Sequence, residues 1–194
     1  MAKASRRSLW TQKIQGKLPQ SAEKTAYNNP PTQAGYKGII LGIDPSLRGT
    51  GLAIIDTSLT AQFKLLHSLK ITLKASLSFH QCLASIFTTI HHIIKQYPIE
   101  HVALEQTIYV QNFQTAQILG AARGAAIAAA ATENKPICEY PPLRIKQAVS
   151  GHGRASKEQI HGMVTNLLNL KNNKISLDES DAAAVALCHA FTYR

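Results

Sequence analysis

The chain has 194 residues, 45% of them hydrophobic and 16% charged, a composition that suits one folded domain with a sizeable core and excludes a wholly disordered chain. Its 21 lysines and arginines against 11 aspartates and glutamates give a net charge of +10, which favours a polyanionic partner. No apolar run reaches the roughly 18 residues of a membrane span, and Cys82, Cys138 and Cys188 are too few and too scattered for a disulfide framework or a zinc knuckle.

Residues 1–36 read as a basic flexible N-terminal extension. Lys3, Arg6, Arg7, Lys13, Lys17 and Lys24 oppose only Glu23 there, and Asn-Asn-Pro-Pro at 28–31 followed by Gly35 makes a linker. A domain is expected from 37 to 194. It opens with a buried strand over 38–43 (GIILGI), stopped by Asp44-Pro45. Strands over 51–56 and about 63–73 follow, and their short links predict an antiparallel meander.

A helix over 78–97 places Leu83, Ile86, Ile90, Ile93 and Ile94 on one face and closes at Pro98. A fourth strand spans 101–105 (HVALE). Residues 113–132 form an Ala-rich helix interrupted by Gly120 and Gly124, 136–140 a fifth strand, and 157–170 and 178–191 two further helices. Three early strands and then alternating helix and strand predict an α/β domain, a mixed five-stranded sheet flanked by helices.

Four of the eleven acids occupy matched places in that pattern. Asp44 ends the first strand, Glu105 ends the fourth, and Asp178 and Asp181 lie at i and i+3 at the start of the last helix, on one face. Ligand sites of open α/β sheets form at strand ends. Converging carboxylates suit a hard cation such as Mg²⁺, and two such ions can promote phosphodiester hydrolysis. Each feature also has a plainer reading: Asp44-Pro45 as a turn, Glu105 as a solvated strand end, and Asp-Glu-Ser-Asp at 178–181 as a helix cap. Between 141 and 171, Arg144, Lys146, Arg154, Lys157 and Lys171 oppose only Glu158, which makes either a phosphate-binding segment or a solvated helix face.

Several motifs together resemble the RuvC family of Holliday-junction resolvases. Gly42-Ile43-Asp44-Pro45-Ser46, with Arg48 and Thr50-Gly51, is similar to the family's first motif, and Ala103-Leu104-Glu105-Gln106 to its second. Leu119-Gly120-Ala121-Ala122-Arg123-Gly124 resembles the helix that follows. Glu139-Tyr140 through Lys146-Gln147, then Ser156-Lys157, resemble its basic segment, and Asp178-x-x-Asp181 with His189 its last motif.

The resemblance implies an RNase H-like fold and a metal-dependent endodeoxyribonuclease that resolves four-way junctions by symmetric paired nicks in recombination and DNA repair. It implies Asp44, Glu105, Asp178 and Asp181 as the catalytic, metal-binding set, with two Mg²⁺ per site and Mn²⁺ also accepted. It further implies a homodimer, and it leaves room for a branch-migration motor complex as partner. Lys146 and Lys157 become the foremost phosphate contacts, followed by Arg144 and Arg154. The chain departs from the family in three places, one being residues 1–36, which have no counterpart in a typical member. Gly-Ser after Asp-Pro reads Ser46-Leu47, and the aromatic three residues after the second-motif acid is Ile108, with Tyr109 beside it as the DNA-contacting candidate.

Gly120 and Gly124 serve either packing within one chain or the dimer contact, and His189 either flanks the carboxylates or is an ordinary helix residue. The expected location is cytoplasmic, with reduced thiols and no membrane association. Two rival readings are another RNase H-like nuclease acting in RNA processing and a non-catalytic junction-binding protein. A sugar kinase or actin-like ATPase, which shares the Gly-Ile-Asp turn, would need two duplicated domains, more than this length allows.

Overall fold

The computed structural model describes residues 35–59, 62–106, 112–170 and 175–194. Tyr109, Lys171 and all of the predicted extension except Gly35 and Tyr36 lie outside the described residues. Among the described residues no helix is long and apolar enough to cross a membrane.

Five strands form one mixed sheet: β1 (Ile39–Asp44), β2 (Gly49–Asp56), β3 (Lys64–Thr72), β4 (His101–Glu105) and β5 (Ile137–Tyr140), in the order β3-β2-β1-β4-β5. The first three pair antiparallel as the meander their short links predict. β4 and β5 then add in parallel, Ile43 beside Leu104 and Glu105 beside Tyr140. This register brings the ends of β1 and β4 side by side, carrying Asp44 and Glu105 to one edge of the sheet.

Alternation along the strands divides the core into two layers. Leu41, Ile43, Leu52, Ile54, Val102 and Leu104 face α1 (Phe79–Gln96) and α2 (Phe113–Thr132). Ile40, Ala53, Ile55 and Ala103 face α3 (Pro142–Ser150), α4 (Lys157–Leu167) and α5 (Leu177–Thr192). α1 starts at a capping box between Ser78 and Gln81 and buries Cys82, Ile86, Ile90, Ile93 and Ile94, while Leu83 is only half-buried. α5 is buried from Ala182 to Phe191. Its alanines let it lie close to the sheet, and full burial of Val185 and Leu187 stabilises by about 1.5–3 kcal/mol each.

One helix keeps its expected span and one was not expected. α2 runs unbroken through Gly120 and Gly124, because two glycines among alanines cost only about 1 kcal/mol each and do not break a packed helix. α3 was not expected. Pro141-Pro142 reads as a break in sequence, but Pro142 stands at the first helical position, where the missing N–H costs nothing, and Gly151 closes the helix with φ 78°.

Candidate active site

Two glycines let the last helix reach the sheet. A Cβ at Gly42 would lie 2.1 Å from the Ala182 carbonyl oxygen, and one at Gly51 would lie 2.0 Å from that of Asp178. Backbone oxygens in a packed helix cannot yield, so both positions require glycine. Their effect is to press the first turns of α5 against β1 and β2, bringing Asp178 and Asp181 to Asp44.

The run at 178–181 divides its work. Ser176 caps α5, and its N–H donates to the Glu179 carboxylate at 2.8 Å while the Ser68 hydroxyl donates to Oε1 of the same residue at 2.7 Å. Capping therefore falls to Glu179, which leaves the two aspartates for other contacts. The turn after β1 is fixed by buried Thr50, whose hydroxyl donates to the Ser46 carbonyl at 2.5 Å and accepts from the Ser46 N–H at 3.2 Å.

Asp44, Glu105 and Asp181 line one cleft together with Lys146 from α3 and Lys157 from the first turn of α4, between apolar walls from Pro142, Ile145, Ile160 and Ala184. Lys157 Nζ lies 2.9 Å from Asp181 Oδ2, and this hydrogen bond holds the lysine's pKa above its usual value. Asp178 does not line the cleft; its Oδ2 lies 2.6 Å from Lys70 Nζ on β3. Burial and then the neighbouring Asp181 raise the Asp44 carboxyl to about 6. Burial and then Asp44 and Asp181 raise Glu105 to about 7. The cluster thus holds more negative charge than its surroundings stabilise, the condition a bound cation relieves.

Oxygen ligands in a cleft open to solvent suit a hard divalent ion. Among the described residues no three of these carboxylates bring their oxygens within 4.8 Å of one another.

Arg144 and Arg154 are exposed and outside the cleft, with no ion pair among the described residues. His189 is not beside the carboxylates. It is buried near the far end of α5 against His101 and Tyr140. Lys70 is the residue that sequence reasoning missed. Nothing local marks it, because its partner is brought to it by the crossing of α5 over the sheet. Arg123 and Glu139, both within the family-like motifs, form an ion pair between α2 and β5.

A family model described as "Crossover junction endodeoxyribonuclease RuvC" matches residues 40–189. The protein of that name from Alkaliphilus oremlandii (strain OhILAs) is 44% identical over 154 residues, which cover 79% of this chain and 93% of the relative. Its counterpart from Clostridioides difficile (strain 630) is 40% identical over 152 residues, covering 78% and 89%. Among solved structures, T. thermophilus RuvC in complex with Holliday junction substrate is similar with a TM-score of 0.74 at 30% identity, over 79% of this chain and 93% of that one.

Proposed function

The chain belongs to the RuvC family of crossover junction endodeoxyribonucleases and has its RNase H-like fold, and from that premise we propose how its residues cut DNA. It is a metal-dependent nuclease that resolves four-way (Holliday) junctions in recombination and repair. The finer reading is that Asp44, Glu105, Asp178 and Asp181 hold the metal, in a domain of residues 37–194 preceded by a basic extension.

The observation that carries this reading is the convergence of Asp44, Glu105 and Asp181 in one lysine-flanked cleft, with two of the three carboxyls raised by burial and mutual repulsion. Two ions are what the family resemblance implies, and Mg²⁺, with Mn²⁺ as substitute, fits an all-carboxylate set. Bound there, such ions would supply charge neutralisation at the scissile phosphate and a more acidic attacking water. The chain's own residues do the rest. Lys146 and Lys157 offer cations to the phosphate, the apolar walls lower the local dielectric, and Lys70 occupies Asp178 at the rim until a cation displaces it. Arg144 and Arg154 extend the basic surface beyond the cleft, and Tyr109 is the proposed base-stacking contact.

Paired nicks on a nearly two-fold symmetric junction need two such sites, and hence a homodimer. α2 supports this. It is rich in alanine, of which only Ala122, Ala126, Ala129 and Ala130 are buried, and among the described residues a Cβ at Gly120 or Gly124 would meet nothing within 4 Å. We place the protein in the cytoplasm, with a branch-migration motor as a further partner. A role in RNA processing is not favoured, and a non-catalytic junction binder has no use for four acids at one edge of its sheet. The test is cleavage of a mobile four-way junction against linear duplex and RNA–DNA hybrid in Mg²⁺. Symmetric nicking of the junction alone is expected, and preference for the hybrid would overturn the reading.

A further inference from the structure

At the end of the sheet away from the carboxylates, about 13 Å along β4 from Glu105 by strand rise, three side chains of metal-binding chemistry meet. His101 opens β4, Cys138 lies on the neighbouring β5, and His189 comes from the last turns of α5. Their ligand atoms all lie within 4.8 Å of one another. His101 Nδ1 and His189 Nε2 are 3.0 Å apart, so one proton is shared between two ring nitrogens. A tetrahedral ion of zinc size would set the nitrogens roughly 3.3 Å apart and each roughly 3.6 Å from sulfur. The imidazole nitrogens are already near that spacing, and a bound ion would take the place of the proton they share.

The surroundings also suit a metal. Tyr140 Oη lies 2.8 Å from His189 Nδ1, a hydrogen bond that holds the ring with Nε2 toward His101. Burial, and for His189 also its neighbour His101, lowers the pKa of both imidazoles, His189 to about 4, while burial raises that of the Cys138 thiol, whose proton a bound ion would displace. Tyr36 packs 4.3 Å from His101 and Tyr193 4.6 Å from His189, ring centre to ring centre, and together they screen the cluster. The Gly35 and Tyr36 N–H groups both donate to the Ala190 carbonyl, which seats the Tyr36 ring.

We propose that His101 Nδ1, Cys138 Sγ and His189 Nε2 bind one zinc-class ion, with water as fourth ligand. Two imidazoles and a thiolate select a borderline or soft ion, whereas the carboxylate cleft selects a hard one. The chain would then carry two metal sites of opposite chemistry at the two ends of α5. The ion would clamp the far end of that helix to β4 and β5, on the element that also bears Asp178 and Asp181.

The test is titration of the chelator-stripped full chain with Co²⁺, followed by absorbance. A thiolate-to-cobalt charge-transfer band in the near ultraviolet, with the visible bands of tetrahedral cobalt, should saturate at one ion per chain. One equivalent of Zn²⁺ should displace the cobalt, and excess Mg²⁺ should not. Cys138→Ser should abolish the charge-transfer band and His101→Asn should weaken Co²⁺ binding at least tenfold, whereas Cys82→Ser and Asp44→Asn should keep it intact. Absence of the band in the stripped wild-type chain, or its survival in Cys138→Ser, would overturn the proposal and leave a hydrogen-bonded His–His–Tyr network beside an unused thiol.

Discussion

Lys70 and Asp178 meet where β3 passes under the start of α5, ammonium to carboxylate at 2.6 Å, with 40% and 32% of the two side chains exposed. Exposure of that order limits the pair to about 1 kcal/mol. The lysine nonetheless opposes any cation that seeks the same carboxylate. Lys70→Met is therefore expected to lower the Mg²⁺ concentration for half-maximal cleavage by up to about fivefold. Cleavage rates across a Mg²⁺ series check this, and a higher requirement in the variant would mean that Lys70 organises the site rather than competing for it.

Gly51 stands under the Asp178 carbonyl with no room for a methyl group. Gly51→Ala has to push the start of α5 off the sheet, at a cost of order 1–3 kcal/mol. Activity should fall more than stability, because both α5 aspartates move. Denaturant unfolding paired with cleavage should show a folded protein at least tenfold slower than wild type; wild-type cleavage by a folded variant would contradict the close approach.

Asp44 and Glu105 carry folded-state pKa values of about 6 and about 7, above the ordinary 3.8 and 4.5 of an unfolded chain. Groups raised in this way favour the folded state fully below about pH 4, and that contribution is lost as pH rises through 6 and 7. A cation that takes the place of the protons restores it. The rise in Tm on adding Mg²⁺ should therefore be larger at pH 8 than at pH 5. Equal increments at the two pH values would show that these carboxyls do not bind the ion.

Among the described residues nothing lies within 4 Å of a Cβ placed at Gly124, so a larger side chain there has room within the chain. Gly124→Leu should leave the fold and its helical content unchanged while shifting the protein from dimer to monomer in sedimentation. Its nicks should become uncoordinated between the two strands. A variant that stays dimeric would move the interface away from this face of α2.

Much of this was readable in sequence because the signals are local. The apolar runs and end-stops of GIILGID and HVALE place Asp44 and Glu105 at strand ends, and β4 (His101–Glu105) and α2 (Phe113–Thr132) have the expected bounds. The i, i+3 spacing puts Asp178 and Asp181 on one side of a helix, but only the structure shows them diverging, Asp181 to Lys157 in the cleft and Asp178 to Lys70 at its rim. That outcome depends on which strand α5 crosses. α3 was hidden by a Pro-Pro pair that serves as a helix start. The cluster of His101, Cys138 and His189 was equally hidden, since its members come from three elements and match no spacing rule.

In the proposed site Asp44 holds metal rather than DNA. Asp44→Asn keeps the size and polarity of the side chain and removes its charge, so the junction should bind with at least wild-type affinity, since one negative group near the phosphates is gone. The direct measurement is single-turnover cleavage of a mobile four-way junction by this variant in Mg²⁺, with junction binding measured on the same preparation. Intact binding with cleavage lowered by at least a thousandfold is the predicted result. Paired nicking within tenfold of wild type would contradict the assignment of the carboxylate cleft as the active site.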